Sequence, residues 1–508
     1  MNSEVLIVGN HPLATDLTKQ YHQRGDRVKQ WGGYNGFDDT DMTVFDEFAI
    51  LADGGKEAMD ADNEAIAALS RVAAAYHPEQ HGDRRALCHL LLRSQSLLYM
   101  IHREGFRQEI EQRLEIVPFT IEEQWSRAVA LSLDREPITM QSDKTVHLVI
   151  FGMSSIAEQV AIQAAHVCHF PNYIKQDHSL RTRITVVDGQ AAEKGQEWIQ
   201  KYKHLFDNSH YRFVDVQKHP AVTGTSVPMY KDRGDFVDVE WEFVSGTLYD
   251  SLVRTKISKW AVSPAQLLTI VFADSHTDRL LNDAQRLPEE VAKREIPVYV
   301  YMQHDEAYQQ IQHTGSTSHL IPFGMVNRGY DVNIPLVKMA KNVKYIYECC
   351  YQDNIVNWDG HIRFSVDIDE RKKEQWWQEE SALKRTSNIC NAMTVGVKMR
   401  SMGFSEEDWD KFYDLSQEDI EILAEVEHNR WSVEELILGW RPCTDSEQRE
   451  VEADIRMKEE LKKRKIHYDL RAYSDLRPDG TGKPVQIYDR CLSACIPLIA
   501  KASKGGGL

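Results

Sequence analysis

A chain of 508 residues with 42% hydrophobic and 27% charged residues has the composition of a globular protein, with room for roughly three domains of about 150 residues. Its 78 acidic residues outnumber its 60 basic residues, and the net charge of −18 excludes broad binding to a nucleic-acid backbone, which needs clustered lysine and arginine. No apolar run approaches the ~20 residues that a membrane helix needs, so we expect no membrane span.

The N-terminal sequence and the cysteines indicate a cytoplasmic protein with reduced thiols. The opening MNSEVLIVGNHP has no positively charged stretch before its apolar run and therefore predicts no secretory signal. The eight cysteines form no CxxC pair, which is typical of buried thiols in a reducing compartment. His166, Cys168 and His169 are too closely spaced on a predicted helix to form a good metal face, so we predict no metal site.

Predicted strands and helices alternate through the first 140 residues, and the pattern restarts after a polar segment. The strands of the first part are SEVLIVG, DRVKQWGG, FDEFAILADGG, RALCHLLLRS and RLEIVPFT. Those of the second part are VHLVIFG, RITVVDG, HYRFVDV, LLTIVFAD, IPVYVYMQ and SHLIPFG. Such alternation is typical of parallel sheets, so the sequence predicts two tandem α/β domains, over residues 1–140 and 141–332.

Beyond residue 332 a helical pattern replaces the strand pattern. SQEDIEILAEVEHNRWSVEELILGW is a periodic helix that begins with a capping box at Ser416 and Asp419 and ends at Gly439. The segment KKEQWWQEESALKRTSNICNAMTVGVKMRSMGF is helical as well. We therefore predict a helical connector over residues 333–375 and an all-α domain over residues 376–508.

Each predicted sheet domain begins with a strand that runs into a glycine turn. The dinucleotide-binding fingerprint G-x-G-x-x-G/A uses its first glycine for a tight turn, its second for close approach of a pyrophosphate, and its third small residue for helix packing. The corresponding patterns here are Gly9-x-His11-x-x-Ala14 and Gly152-x-Ser154-x-x-Ala157. Both keep the turn and the small packing residue, and both replace the middle glycine.

The two turns differ in their expected capacity to bind phosphate. In the first turn His11 puts an imidazole where phosphate should lie, and Pro12 removes an N–H group, so we expect a structural role there. In the second turn two small hydrogen-bonding serines stand at a helix N-terminus, and Asp188 ends the next strand, where an acid can hold a ribose hydroxyl. The predicted nucleotide-binding residues of the second domain are Gly152, Ser154, Ser155 and Asp188.

The sequence contains no GxSxG, HExxH or P-loop motif, and we predict no catalytic residues. In the segment DSHTD, Ser275 and His276 follow a strand, but the members of a triad normally come from separate loops. We interpret this segment as a capped helix start. The alternative is an NAD(P)-dependent enzyme that works at the cleft of the second sheet domain.

The C-terminal sequence LAEVEHNRWSVEELILGWRP, followed by HYDLRAYSDL, resembles the RyR domain, a family named for the repeats of ryanodine receptors and found in many bacterial proteins. The resemblance covers about residues 376–502, and its matching residues are Glu427, His428, Trp431, Gly439, Trp440, His467, Leu470, Tyr473 and Leu476. The two upstream domains are similar to TrkA-type domains, the Rossmann nucleotide-binding modules of potassium-transport regulators.

The RyR resemblance implies ligand recognition. A tryptophan of this motif helps to form an adenine-nucleotide pocket in the receptor repeats, and bacterial members are associated with sensing of nucleotide signals, including in anti-phage defence. Residue by residue, it implies that Trp431 stacks on a base beside Trp440 and that Arg441 reaches a phosphate. It also implies that His428 and Tyr473 line the same pocket.

Helical spacing independently places His428, Trp431 and Glu435 on one face of the long helix. The alternative interpretation is that Trp431 and Trp440 are core anchors of a small helical domain. Leucine, isoleucine and valine residues on the same helix can supply its other apolar faces.

Together these observations predict a cytoplasmic, non-enzymatic nucleotide sensor or regulator that binds NAD(H) or another adenine nucleotide. The TrkA resemblance implies a homodimer or larger homo-oligomer, and a regulator implies a protein effector. The remaining alternative is a non-catalytic scaffold whose sheet domains are inert and whose helices recognise protein.

Overall fold

The computed structural model describes residues 3–34, 42–82, 84–216, 236–274, 277–304, 308, 319–332, 336–351, 368–405, 415–478 and 484–504. The chain divides into two units. Unit 1 comprises Met1–Trp125, Gly324–Pro335 and Gln378–Thr386. Unit 2 comprises Ser126–Phe323, Leu336–Trp377 and Ser387–Leu508.

Unit 1 contains a five-stranded parallel sheet with the order β2-β1-β3-β4-β5. Its strands are β1 Glu4–Val8, β2 Arg27–Trp31, β3 Glu47–Leu51, β4 Ala86–Leu91 and β5 Leu114–Phe119. Its helices are α1 Leu13–Arg24, α2 Ala58–Ala75, α3 Gln95–Glu104, α4 Gln108–Glu111 and α5 Ile121–Ala130, the last of which runs on into unit 2. This is the strand order of flavodoxin-like, doubly wound proteins, in which ligands bind at the carboxyl ends of the strands where the order reverses.

Unit 2 contains a seven-stranded parallel sheet with the order β12-β11-β10-β6-β7-β9-β8. Its strands are β6 Thr145–Phe151, β7 Thr182–Asp188, β8 His210–Asp215, β9 Val239–Ser245, β10 Gln266–Phe272, β11 Val298–Tyr301 and β12 Leu320–Phe323. The helices between them are α6 Ser155–Val167, α7 Ala191–Lys201, α8 Lys203–Asp207, α9 Ser251–Val262, α10 Thr277–Ala284 and α11 Glu289–Lys293. Without β8, which is an added edge strand, the remaining six strands have the Rossmann order, and that order reverses between β6 and β10.

Strand β9 is absent from the strands that the sequence predicts. Its sequence VEWEFVS carries two acidic residues, which weaken the apolar pattern of a buried strand. Both are buried and paired: Glu240 accepts from Arg183 at 2.6 Å, and Glu242 pairs with Lys256 at 2.7 Å. The two carboxylates that obscure the strand pattern in the sequence are therefore neutralised by basic residues that become their neighbours only in the folded chain.

The described residues that follow β12 are mainly helical. Their helices are α12 Leu336–Tyr351, α13 Glu370–Glu379, α14 Ala382–Met393, α15 Val395–Ser401, α16 Gln417–Ile437, α17 Asp445–Ala453, α18 Met457–Lys462, α19 Ile487–Ala494 and α20 Ile496–Lys504. The prediction of an all-α region is wrong in one detail, because β13 Arg441–Pro442 and β14 Ile466–His467 form a small parallel pair. The segment predicted to be helical from residue 372 onward contains three helices, α13, α14 and α15.

The two units do not follow the predicted domain limits at residues 140 and 332. The segment 126–140 belongs to unit 2, where Arg135 donates to the Leu268 carbonyl oxygen at 2.8 Å. The segment 324–332 belongs to unit 1, where the ring of Tyr330 stacks on Phe119 with centroids 3.8 Å apart. Both segments are held by long-range contacts, which local sequence patterns do not reveal.

Apart from Gln378–Thr386, which belongs to unit 1, the helical region lies in the same unit as the second sheet, whereas the sequence predicts separate domains. One contact that joins them is the bidentate pair between Arg400 of α15 and Asp134, with N–O distances of 2.7 and 3.0 Å. Asp134 is buried, so this charge-assisted pair is stronger than a surface ion pair. Among the helices that the structure describes, none combines the length and the hydropathy needed to span a membrane.

Candidate functional site

Helix α16 has defined signals at both ends. The Ser416 hydroxyl accepts from the Asp419 N–H at 3.1 Å and the Asp419 carboxylate accepts from the Ser416 N–H at 3.1 Å, so the predicted capping box is confirmed. At the other end Gly439 takes a left-handed φ of 86°. Its N–H donates to the Leu436 carbonyl and the Trp440 N–H to the Glu435 carbonyl, which is a Schellman motif. The motif fixes the position of Trp440 just beyond the helix.

The small strand pair brings a histidine to the same place. Pro442 is in register with His467, and the Arg441 N–H donates to the Lys465 carbonyl at 3.0 Å. The Lys465 ammonium donates to the Leu438 carbonyl at 3.2 Å, so it satisfies one of the last carbonyls of α16. Backbone pairing thus holds the segment that carries His467 against the end of α16.

Five rings gather at this end of α16, and we call them the aromatic cluster: His428, Trp431, Trp440, His467 and Tyr473. The imidazole of His467 lies 4.9 Å from the Trp431 ring centroid and 5.8 Å from that of Trp440, edge-on to both. These three side chains are only half-buried, so solvent or a ligand can reach them. The structure therefore brings together four of the five sequence-predicted residues of this site, as well as His467.

His428 and Tyr473 are buried behind the exposed rings and are held by hydrogen bonds. The Nε2 atom of His428 lies 2.9 Å from the Arg471 carbonyl oxygen, and its Nδ1 atom lies 3.4 Å from the Asp489 carboxylate. Burial opposes the charged imidazolium, but the hydrogen bond to Asp489 raises the pKa of His428 above its ordinary value. The hydroxyl of Tyr473 donates to Glu421 at 3.1 Å. Both residues therefore position the cluster rather than line its open side.

Two buried polar atoms beside the exposed rings have no hydrogen-bond partner among the described residues. They are the indole nitrogen of Trp440 and the Oε2 atom of Glu435. Burial, reinforced by the neighbouring Glu434, raises the pKa of Glu435 to about 8, although the indole of Trp431 donates to its carboxyl group. At neutral pH this carboxyl is therefore largely protonated and can donate as well as accept a hydrogen bond.

The charged groups around His467 include two lysines and an aspartate, Asp469. Burial, together with Lys462 and Lys458, lowers the pKa of His467 to about 4, so the ring is neutral. Its Nδ1 atom accepts from the Asp469 N–H at 3.2 Å, which assigns the ring proton to Nε2. The two nearby ammonium groups already have partners, because Lys458 lies 2.6 Å from the Asp469 carboxylate and Lys462 lies 2.8 Å from the Glu459 carboxylate.

Arg441, the expected phosphate ligand, is engaged with a carboxylate. Its guanidinium donates to both oxygens of Glu447, at 2.7 and 2.8 Å, and to the Pro442 carbonyl at 2.9 Å. The hydrogen bond with Arg441 and those with Thr444 hold the pKa of Glu447 at about 2. An incoming phosphate would have to compete with a bidentate carboxylate for this side chain.

A buried ionic network supports the middle of α16. Arg430 bridges Glu427 and Glu434 at 2.9 and 2.6 Å, and Lys398 of α15 reaches Glu427 at 2.6 Å. All four side chains are at most 3% exposed. Although burial opposes its charge, Arg430 and Lys398 hold the pKa of Glu427 at about 2. This network fixes the helix that presents Trp431.

The second glycine turn lies between β6 and β10, where the strand order reverses. Gly152 has a φ of 100°, and a Cβ there would lie 2.7 Å from the Ala273 carbonyl oxygen. The Ser154 hydroxyl caps α6 by accepting from the Ala157 N–H at 3.3 Å, and it donates to the Ala273 carbonyl at 2.7 Å. Ser155 is the first residue of α6 and is exposed. Of the two predicted serines, only Ser155 presents its side chain to solvent.

Asp188 ends β7, the strand next to β6, as the fingerprint requires. Its Oδ1 atom accepts from the Gln190 N–H at 2.8 Å, and its Oδ2 atom lies 3.4 Å from the Lys194 ammonium. Of the segment DSHTD, residues Ser275 and His276 lie outside the described residues. The carboxyl edge of this sheet therefore carries a glycine turn, a helix N-terminus and an acid at the end of the neighbouring strand.

At the first glycine turn, neighbouring side chains take the place that a phosphate would need. The Nδ1 atom of His11 accepts from the Leu13 N–H at 3.1 Å, so the ring takes a first-turn donor that a phosphate would otherwise use. Burial and the nearby Arg93 lower the pKa of His11 to about 4, and the ring is neutral. Tyr34 donates to the Leu51 carbonyl at 2.6 Å beside Gly9. This geometry agrees with the structural role expected for the turn.

Sequence reasoning did not assign site roles to His467 and Glu435. His467 is far from α16 along the chain, and only the β13–β14 pairing brings it to Trp440. Glu435 could have been found, because it lies four residues after Trp431 on the same helix face.

No protein-family model matches the chain, and no curated protein matches it. Among solved structures, it is similar to one of the subunits of dipicolinate synthase from Bacillus halodurans, with 8% sequence identity and a TM-score of 0.19. The match covers 64% of this chain and 94% of that chain. A TM-score this low does not establish a common fold.

Proposed function

We propose that the protein is a nucleotide-binding regulator whose ligand base is held by the exposed side of the aromatic cluster. The observation that carries this proposal is the pair of buried, unpartnered polar atoms, Trp440 Nε1 and Glu435 Oε2, next to half-buried rings. Buried polar groups are almost always hydrogen-bonded, so an unpaired donor and an unpaired carboxyl oxygen favour a ligand that completes them.

A purine or pyrimidine base matches this chemistry. Its faces stack on indole rings, a contact that contributes about 1–3 kcal/mol per base. Its edge carries both hydrogen-bond donors and acceptors, which suit an indole N–H and a protonated carboxyl group. Arg441, Lys458 and Lys462 are cations near the cluster. Each is paired with a carboxylate, so a phosphate would bind by displacing Glu447, Asp469 or Glu459.

A second nucleotide site is supported at the β6–β10 turn by the position of Asp188 at the end of β7. The exposed N-terminus of α6 at Ser155 is suited to a pyrophosphate. The missing middle glycine limits how closely the pyrophosphate can approach. NAD(H) is the natural ligand class for this geometry, and ligation at either site would bias assembly or an effector contact.

The resemblances to RyR and TrkA-type domains support the same function by analogy. They favour a sensor that forms homo-oligomers and acts on a protein effector, and for the RyR resemblance a setting in anti-phage defence. These finer points are tested only after a ligand is identified.

The first experiment is native purification of the full chain, followed by mass spectrometry of any small molecule released on denaturation. An unmodified nucleotide supports the regulator. A reduced or turned-over cofactor would instead support an NAD(P)-dependent enzyme at the second sheet. Calorimetric titration with ATP, ADP-ribose, NAD and NADP follows, and if all four are silent and no molecule is released, the proposal is wrong and a scaffold role is favoured.

The two sites are separated by variants. Trp431→Ala should weaken binding at the aromatic cluster and leave the sheet site intact, whereas Asp188→Asn should do the reverse. Because the two residues lie on different elements, a ligand lost in only one variant is assigned to that site.

A further inference from the structure

Three side chains from separate helices meet in unit 2 at a place that belongs to neither of the proposed nucleotide sites. They are His166 of α6, Cys390 of α14 and Glu434 of α16. One ligand atom from each, an imidazole nitrogen, the thiol sulfur and a carboxylate oxygen, lies within 4.8 Å of the other two. The sequence predicted no metal here because His166 was considered with Cys168 and His169, its neighbours along the chain.

Those neighbours are engaged elsewhere in the fold. His169 is buried and its Nδ1 atom lies 2.8 Å from the Asp238 carboxylate. The thiol of Cys168 faces the Ala130 carbonyl oxygen at 4.0 Å. The candidate ligands of His166 are therefore far from it in sequence, and only the packing of α6 against the helical region brings them together.

The carboxylate of Glu434 has one oxygen, Oε1, that is available to bind a metal ion. Its Oε2 atom accepts from Arg430 at 2.6 Å and from Ser387 at 3.2 Å. Its Oε1 atom is buried and has no hydrogen-bond partner among the described residues, although the whole side chain is only 1% exposed. Arg430 and Ser387 orient the carboxylate, as outer hydrogen bonds do for metal-binding carboxylates, and leave one oxygen available.

The donor set fits a borderline divalent metal. An imidazole, a thiolate and a carboxylate are ligands that Zn²⁺ accepts in tetrahedral sites, where the ligand atoms lie about 3.3–3.8 Å apart. Since the atoms lie within 4.8 Å of one another, closing their separations to those values shortens each by at most about 1.5 Å. The buried Cys390 thiolate and the buried Glu434 carboxylate, which also pairs with Arg430, would supply the negative charge that faces the ion.

We propose that His166, Cys390 and Glu434 bind one Zn²⁺-like transition-metal ion that ties helix α6 of the second sheet to the helical region. With three protein ligands the fourth position is left for water or another small ligand. The ion gives the unpaired Oε1 atom of Glu434 a partner and cross-links three helices, so it stabilises unit 2 when bound.

The test uses the untagged full chain, stripped of metal with a chelator and titrated with Co²⁺ in place of Zn²⁺. We expect one equivalent to produce the thiolate-to-cobalt charge-transfer band and the visible bands of tetrahedral Co²⁺, and Zn²⁺ to displace them. We also expect Zn²⁺ to raise the unfolding temperature of the stripped protein.

Variants assign the site. Cys390→Ser should remove the charge-transfer band and His166→Gln should weaken Co²⁺ binding by at least tenfold, while Cys443→Ser, a half-buried cysteine elsewhere, should leave both unchanged. His166 is only half-buried, so its variant should fold even if Cys390→Ser does not. The proposal is wrong if the unmodified chain shows no charge-transfer band. It is also wrong if the band persists in folded Cys390→Ser or is lost in Cys443→Ser.

Discussion

The imidazole of His467 meets the indole of Trp431 edge to face, with ring centroids 4.9 Å apart and ring planes inclined at 74°. This contact joins the middle of α16 to the segment that follows α18, and it is possible because β13 and β14 pair in parallel. Edge-to-face contacts of this kind leave one face of the indole free of the partner ring. That geometry makes Trp431 a candidate for stacking and not only for packing.

Trp431→Ala should weaken nucleotide binding at the aromatic cluster without unfolding the protein. Loss of one stacking contact worth about 1–3 kcal/mol raises Kd about 5- to 150-fold. Calorimetric titration with the nucleotide identified in the native preparation measures the effect. The matched control is Trp376→Ala, another half-buried tryptophan of unit 2, which packs on Tyr345 with centroids 5.2 Å apart. Global unfolding of Trp431→Ala alone would instead show that this tryptophan is a core anchor.

Glu435→Gln should flatten the dependence of stability on pH. The pKa of Glu435 is about 8 in the folded chain and 4.5 when unperturbed, so between these values the folded chain holds a proton that the unfolded chain has released. The free energy of unfolding therefore falls as pH rises from about 4.5 to about 8. Glutamine is neutral at every pH, so the variant lacks this part of the decrease in the free energy of unfolding.

Urea unfolding of the two proteins at about pH 5 and about pH 8 tests this expectation. The variant should gain stability relative to the unmodified chain at the higher pH and differ little at the lower. Glu452→Gln, an exposed position, is the control and should leave the pH dependence as it was. Equal slopes for the unmodified chain and Glu435→Gln would mean that this carboxyl is ionised in the fold.

Arg430→Met should strongly destabilise unit 2. It removes the cation that bridges Glu427 and Glu434, so that Glu434 loses its cationic partner and Glu427 keeps only Lys398, a loss that typically costs about 3–5 kcal/mol. Denaturant unfolding followed by circular dichroism measures the loss. Arg456→Met, which breaks the exposed pair with Asp454, should cause no measurable change. A mild effect of Arg430→Met would show that solvent reaches the network.

Gly152→Ala should destabilise the second sheet by about 1–3 kcal/mol. Its φ of 100° disfavours any side chain, and the added Cβ would lie 2.7 Å from the Ala273 carbonyl oxygen. Gly189→Ala is the matched control, since a Cβ there meets nothing within 4 Å. Differential scanning calorimetry compares the two variants, and similar unfolding temperatures would indicate that the turn can relax.

Local patterns were sufficient for most of the secondary structure, because a strand or helix that buries one face shows the corresponding period in its own residues. The capping box at Ser416 and the stop at Gly439 are of this kind, since caps depend on residues three or four apart. The same reasoning predicted a tight turn at Gly152 and a strand that ends at Asp188, and the structure has both. It failed for β9, where Glu240 and Glu242 obscure the apolar pattern and find their partners only in the fold.

The sequence by itself determined that the chain carries parallel α/β sheets followed by helices, and that Trp431 and Trp440 flank the end of a long helix. Only the tertiary structure decided which residues stand beside them. Pairing of β13 with β14 brought His467 to the tryptophans, burial neutralised Glu435, and the packing of α6 against α14 and α16 gathered His166, Cys390 and Glu434. These outcomes depend on contacts between distant segments and on loss of solvent, neither of which is encoded in a local window.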